Sequence, residues 1–382
     1  MTFAFTLPPR SPQLDDLRRE VRDFIAEQVR TRPATERART WHGADAAFSR
    51  KVGERGWIGM TWPKGYGGGE RGALERFVVL EEMLAAGAPV ALHWTGDRQS
   101  GPLLLSHGTE AQRQALLPRL VKGEIFFCIG LSEPDAGSDL ANLRTRAVPV
   151  EGGWVVNGTK IWTSGAHLKH YMIMLCRTAP RGEDRHAGMS QLLVDLSWPG
   201  IEIRPIRNMA GEAYFNEVVF RDCFVPEDAL IGVEGNGWQQ AMGELALERS
   251  GPERFLTASV LLEELVRLAV RHPSPRAPLV IGRLAAQLAT LRRMSFAVAS
   301  ALDNGADVGV AGSFVKDLGS VFEQSIPDLA RDLFDLGELD DEEFLGVFRY
   351  VMLASPSFSI YGGTREILRG IIGRSLLAEG AN

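Results

Sequence analysis

Lysine is scarce: of the 42 lysines and arginines in these 382 residues, only Lys51, Lys64, Lys122, Lys160, Lys169 and Lys316 are lysine. That bias matches a GC-rich genome and carries no functional message. No basic tract stands out and the formal net charge is -6, which argues against nucleic acid as a partner. An acidic chain can still hold a phosphorylated cofactor through local arginines or backbone N–H groups. Cysteine is scarce too. Cys128, Cys176 and Cys223 stand far apart with no C-x-x-C pair, so neither a disulfide framework nor a zinc site is expected. No apolar run approaches the about 20 residues of a membrane span. The opening MTFAFTLPPRSPQ lacks a basic segment followed by an apolar one, so no secretory signal is expected. A cytoplasmic protein without a membrane partner and without a metal site is the resulting expectation. Repeats and low-complexity segments are also missing.

What is present is a hydrophobic content of 45%, enough for two or three packed domains. From Ser11, Leu14, Leu17, Val21, Phe24, Ile25 and Val29 recur at helical spacing. The glycine loop Trp62–Glu70 separates this from a second helical region with Phe77, Leu80, Met83 and Leu84. A third helix is expected over Glu110–Leu120. The character changes near Ile125. Residues 125–131 read as a strand, and short β-branched segments punctuated by Gly, Asn and Pro follow. Val148–Asn157 reads as a hairpin around Gly152-Gly153. The middle third is expected to be a small β-barrel or sandwich. Helical periodicity returns from Gly237, with Trp238, Met242 and Leu245, then Leu261, Leu262, Leu265 and Leu268, then Ile281–Leu291. The order helical, β, helical reads as α+β, divided at 1–124, 125–234 and 235–382.

Four segments can carry chemistry. Leu131-Ser132-Glu133-Pro134-Asp135-Ala136-Gly137-Ser138-Asp139 follows the first strand. Free N–H groups there suit a phosphate, and Gly137 lets a ligand approach; a plain turn fits equally well. Trp162-Thr163-Ser164-Gly165 can cover an aromatic ring and bond its edge, or be core. In Leu247-Glu248-Arg249-Ser250-Gly251-Pro252, proline has no N–H for the Glu248 carbonyl, so the helix must open there. Glu248 is then either a surface partner of Arg249 or a buried carboxylate. In Ser359–Arg369, Thr364 can N-cap a helix to about Leu377. That N-terminus can receive an anion or a polar cofactor edge.

In order and spacing, these four segments resemble the acyl-CoA dehydrogenase family over nearly the whole chain. The resemblance implies an N-terminal helical domain, a middle β-barrel or sandwich domain and a C-terminal four-helix bundle. It implies FAD as cofactor, with Ile129, Leu131, Ser132, Gly137, Ser138, Trp162, Thr163, Ser164, Thr364 and Glu366 as flavin contacts. Ser138, Arg249, Gly362 and Gly363 match substrate-side positions. Many members carry their base as Y-E-G-T, where this chain has Gly362. Others, similar to isovaleryl-CoA and long-chain dehydrogenases, carry it in L-x-x-E-R, which Leu245–Arg249 matches, so Glu248 becomes the expected base. Glu248 would remove the α-proton of an acyl-CoA thioester as the β-hydride passes to flavin N5. Electron-transferring flavoprotein is the implied acceptor, and a tetramer the implied assembly.

The match has gaps. The family's R-x-x-F-G is replaced around His272–Arg276 and Ile281-Gly282-Arg283. Its Q-x-x-G-G-x-G is replaced by Phe334–Asp340. Both elements contact the FAD of a neighbouring subunit. Their loss, together with the ERSGPERF stretch Glu248–Phe255, is similar to the heteromeric dehydrogenases of actinobacterial steroid side-chain breakdown. A homologous second subunit would then supply the missing contacts. Two other readings stay open: a flavin monooxygenase on the same fold, and a non-catalytic subunit of a heteromeric dehydrogenase.

Overall fold

The computed structural model describes residues 5–360 and 362–380, apart from the side chains of 245–248, 379 and 380. Contacts divide the chain into two compact units. One comprises Met1–Ala44, Arg71–Val90 and Glu248–Asn382; the other comprises Asp45–Glu70 and Ala91–Leu247.

The first unit is helical. The spacing read from Ser11 forms the helix Pro12–Gln28, which buries Leu17, Val21, Phe24 and Ile25. It lies along the helix Ala73–Ala86, whose buried face includes Phe77, Leu80, Met83 and Leu84. Gly72 precedes that helix and brings no capping side chain. Asp303, at the end of the helix Ala277–Asp303, accepts from the Ala73 and Leu74 N–H groups instead. Glu75 closes the cap by accepting from Gly72 N–H at 3.0 Å. Carboxylates at a helix N-terminus satisfy orphan donors and the positive end of the dipole. Buried Glu81 accepts from both Arg18 and Arg292, tying three helices together.

The other long helices of this unit are Ser259–Arg271, Gly309–Leu333, Glu342–Ala354 and Arg365–Gly380. The sequence reading did not single out Gly309–Leu333, whose buried face mixes Lys316, Asp317, Ser320 and Glu323 with Val315, Phe322 and Ile326.

The second unit opens with helices, among them Ala46–Glu54 and the expected Glu110–Val121. Seven strands follow: β1 (Phe127–Gly130), β2 (Arg146–Val150), β3 (Gly153–Ser164), β4 (Tyr171–Arg177), β5 (Met189–Asp195), β6 (Ile201–Ile206) and β7 (Phe215–Pro226). They run in the order β1-β4-β2-β3-β7-β6, with β5 also paired to β4. β2 and β3 form the expected hairpin, Val150 opposite Gly153, with Gly152 at φ +77° in the turn. Cys128, Cys176 and Cys223 are buried in the core of this sheet with Trp154, Met172, Leu192 and Phe220. Burial pushes their thiols up to about 12, 12 and 11, so they act as small apolar side chains. Among the described residues no helix is long and apolar enough to cross a membrane.

Candidate active site

In the sheet unit, the loop after β1 is stitched to β3. Glu133 and Ala136 exchange two backbone hydrogen bonds, at 2.9 and 3.0 Å. The Glu133 carboxylate accepts from Arg144 N–H, from Thr145 N–H at 2.9 Å and from Lys160 Nζ at 2.8 Å. Lys160 also donates to the Leu131 carbonyl at 3.1 Å, and Ile161 N–H donates to the Ser132 carbonyl at 2.9 Å. Both charged partners are buried. Burial pushes Glu133 up, but the Lys160 charge and these bonds outweigh it and hold the carboxyl below its ordinary value. For Lys160 burial wins and lowers its pKa. The pair therefore fixes both ends of the loop that presents Ser132, Gly137 and Ser138. Ser132 is half-buried, while Gly137 and Ser138 are exposed. A β-carbon on Gly137 would meet nothing within 4 Å, so the loop is open there.

The Trp162 segment owes its shape to a bulge. Lys160 pairs with Val218 and Thr163 with Asn216, so two residues of β3 oppose one of β7. Trp162 takes φ +60°, a left-handed conformation that an aromatic residue rarely holds. Such strain gathers at functional sites. The inversion turns the Trp162 ring outward, 56% exposed, and drives Thr163 inward to 1%. The ring meets Phe215 edge-on at 6.0 Å. The Thr163 carbonyl accepts from Asn216 Nδ2 at 2.9 Å, but its buried Oγ1 makes no hydrogen bond within the described residues. Ser164 is half-buried beside Phe215. The structure thus ties Leu131 and Ser132 to Lys160 and Ile161 of β3, next to Trp162–Ser164, while Ile129 pairs with Ile173 in β4.

The other predicted residues lie in the helical unit. The helix Gly237–Glu248 ends, as expected, where Pro252 removes the next N–H, and a short 3-10 turn Pro252–Arg254 follows. The side chain of Glu248 lies outside the described residues, as does Tyr361. Gly362 and Gly363 stand at φ +70° and +96°. A β-carbon on Gly363 would lie 3.7 Å from Nη2 of Arg249, so Arg249 and the glycine turn adjoin. Thr364 Oγ1 accepts from Ile367 N–H at 3.4 Å and caps the helix Arg365–Gly380. Glu366 is exposed in its first turn. Its own backbone N–H and the Thr364 hydroxyl hold its carboxyl below the ordinary range.

Beneath this turn sits a charged cluster that the sequence reading did not pick out: Glu253, Arg254, Lys316 and Glu323, all buried. Thr257 N–H donates to Glu323, and Lys316 donates to the Phe358 carbonyl and to Ser320 at 2.9 Å. Burial pushes Glu323 up to about 7 against the pull of Thr257, Lys316 and Arg254. Its folded pKa is raised, so the stability it confers is full below about 4.5 and is lost as pH rises through about 7. Glu323→Gln should therefore flatten one part of the pH profile. The wild-type minus variant difference in melting temperature is expected to fall between pH 5 and 8; a flat difference over that range would contradict this. Among the described residues no cluster of His, Cys, Asp or Glu could hold a metal ion.

Residues 11–124, 128–223 and 235–377 match the N-terminal, middle and C-terminal domains of acyl-CoA dehydrogenase. The chain belongs to the acyl-CoA dehydrogenase family. It is 33% identical to the acyl-CoA dehydrogenase IpdE1 of Mycobacterium tuberculosis over 388 residues, covering 95% of this chain and 97% of that one. It is also 37% identical to FadE29 of the same organism over 240 residues, 63% of this chain and 61% of the relative. Among solved structures it resembles the Tcur3481-Tcur3483 steroid acyl-CoA dehydrogenase, with TM-score 0.87, 26% identity and coverage of 98% and 99%. The ChsE4-ChsE5 complex of Mycobacterium tuberculosis matches with TM-score 0.83 at 28% identity, covering 98% and 99%. The expected fold, helical then β then helical, is that of this family. Of these, the Tcur3481-Tcur3483 protein is named a steroid acyl-CoA dehydrogenase and ChsE4-ChsE5 a complex.

Proposed function

We propose that this acyl-CoA dehydrogenase uses FAD to desaturate an acyl-CoA thioester between Cα and Cβ, with Glu248 as the base. The observation that carries the reading is the bulge at Trp162. It offers an exposed indole face next to a buried hydroxyl that makes no hydrogen bond within the described residues, and a planar heterocycle with acceptor atoms fits that pair. Bound FAD would supply the acceptor for the hydride leaving Cβ. The chain's own residues do the rest. Trp162 covers the ring, the Thr163 and Ser164 hydroxyls bond its edge, and Ser132 faces its polar side. Gly137 and Ser138 lie where a phosphate can approach. Thr364 and Glu366, at a helix N-terminus of the helical unit, are the further residues assigned to the cofactor.

Glu248 takes the α-proton. The Gly362 N–H donates to the thioester carbonyl as negative charge grows on it, and Arg249 holds the substrate side. Electron-transferring flavoprotein is the proposed acceptor. The segments that replace R-x-x-F-G and Q-x-x-G-G-x-G fall at the start of the helix Ala277–Asp303 and between Gly309–Leu333 and Glu342–Ala354. We therefore assign the missing dinucleotide contacts to a homologous second subunit in a tetramer. A chain that binds one FAD per copy when purified alone would reject that partner.

Thr163→Val tests the flavin reading. Losing one hydrogen bond to a ligand should weaken FAD binding about tenfold. The melting temperature of the flavin-free protein should not drop, because Thr163 Oγ1 makes no hydrogen bond within the described residues. An unchanged FAD dissociation constant would count against the reading.

A further inference from the structure

Arg254 is 1% exposed, in the core of the helical unit. Its guanidinium carbon lies 5.9 Å over the ring of Trp41, whose Nε1 donates to Thr257 Oγ1 at 3.2 Å. The helix Gly309–Leu333 makes room for it at Gly319, where a β-carbon would sit 2.0 Å from the Arg254 carbonyl oxygen. A β-carbon on Gly362 would lie 3.3 Å from Cζ, Nη1 and Nη2 of Arg254 alike. Equal distances to those three atoms mean that Gly362 approaches the flat face of the guanidinium and not its edge. The left-handed φ of Gly362 already favours glycine. The guanidinium is a second and independent constraint, because even a side chain that tolerates that φ would press on it.

We propose that Arg254 is a positioning residue for the Gly362–Thr364 turn, and that Arg254 and Gly362 form a matched pair. The flat guanidinium sets the height of the turn, and only glycine at 362 lets the turn settle on it. A rigid support suits this place. Glu253 lies 4.0 Å from Arg254 Nε, and Glu323 and Lys316 belong to the same buried cluster. The support therefore has little freedom to shift. Its effect on turnover rests on the desaturation proposed above, in which the Gly362 N–H and Thr364 act on substrate and cofactor. Misplacement of such groups by about 1 Å can cost up to about 100-fold in rate.

The test is a double-mutant cycle on the holoenzyme: Gly362→Ala, Arg254→Lys and the combination. Lysine keeps a positive charge beside Glu253 but removes the flat face; Arg254→Met repeats the cycle should the lysine variant not fold. Gly362→Ala alone is expected to lower the melting temperature by several degrees. It should also cut kcat on acyl-CoA by about 10- to 100-fold with little change in KM. The strain of a left-handed alanine is common to both backgrounds and cancels. In the Lys or Met background the same change should therefore cost less than half as much in both readouts. Additive effects in both cycles would overturn the pairing. Should no form turn over any acyl-CoA, the proposed reaction fails, while the melting cycle still decides whether Arg254 and Gly362 are coupled.

Discussion

Glu248→Gln in the assembled holoprotein is expected to slow acyl-CoA-dependent flavin reduction by about 10²- to 10⁴-fold. FAD content and acyl-CoA affinity should stay close to wild type. Glutamine has nearly the same shape as glutamate but cannot accept a proton, so the change isolates the proton-transfer step. Position 248 is a reasonable place for that step. The helix Gly237–Glu248 stops there because proline at 252 cannot bond its carbonyl, and the chain leaves helical register over Ser250-Gly251. A helix end opens space that a continuous helix would fill. Gly362 has no side chain and cannot serve as a base.

Stopped-flow reduction of the bound flavin is the direct measurement, because it reports proton and hydride removal without the electron acceptor. A drop in kcat and kcat/KM together, with KM unchanged, would mark a group needed in the transition state. Unchanged turnover would favour the non-catalytic-subunit reading, with chemistry in the partner chain. Fast reoxidation of the reduced flavin by oxygen, with a hydroxylated product, would favour the monooxygenase instead. Fold alone does not decide among them.

Much of this architecture was legible where a local rule acts alone. Pro252 ends one helix, Thr364 caps another, and Gly152 turns the β2–β3 hairpin. Each rule needs only a few neighbouring residues. The parts that stayed hidden depend on residues distant in the chain. Asp303 caps a helix that begins at Ala73, a service no local pattern announces. The bulge at Trp162 is set by register against β7, while Ile161-Trp162-Thr163 reads locally as plain strand. Within the helix Gly309–Leu333, the burial of Lys316 and Glu323 was not legible, because their partners come from other elements. The four candidate segments could be named from their order, but not the buried contacts beside them, Lys160 with Glu133 and Arg254 against Gly362.

Lys160→Met should be among the most destabilising single changes in the sheet unit, costing about 3–5 kcal/mol in urea unfolding. The argument starts from burial. Lys160 and Glu133 are 0% and 6% exposed as side chains and 2.8 Å apart. Water cannot replace the ammonium once it is gone, so the variant leaves a carboxylate buried with only the Arg144 and Thr145 N–H groups and no countercharge. Glu133→Gln on top of Lys160→Met should restore more than half of the loss, because it removes the stranded charge while one oxygen still accepts from the backbone. The double variant therefore separates a charge effect from simple loss of packing. If the pair only fills space, the second change adds its own cost and nothing is recovered. The same pair anchors the loop that carries Ser132 and Ser138. Lys160→Met should thus lose FAD at temperatures well below its own melting point, and the double variant should regain it in step with stability. Full FAD retention in the single variant would mean that the loop is held by its backbone bonds alone, Ile161 N–H to the Ser132 carbonyl among them.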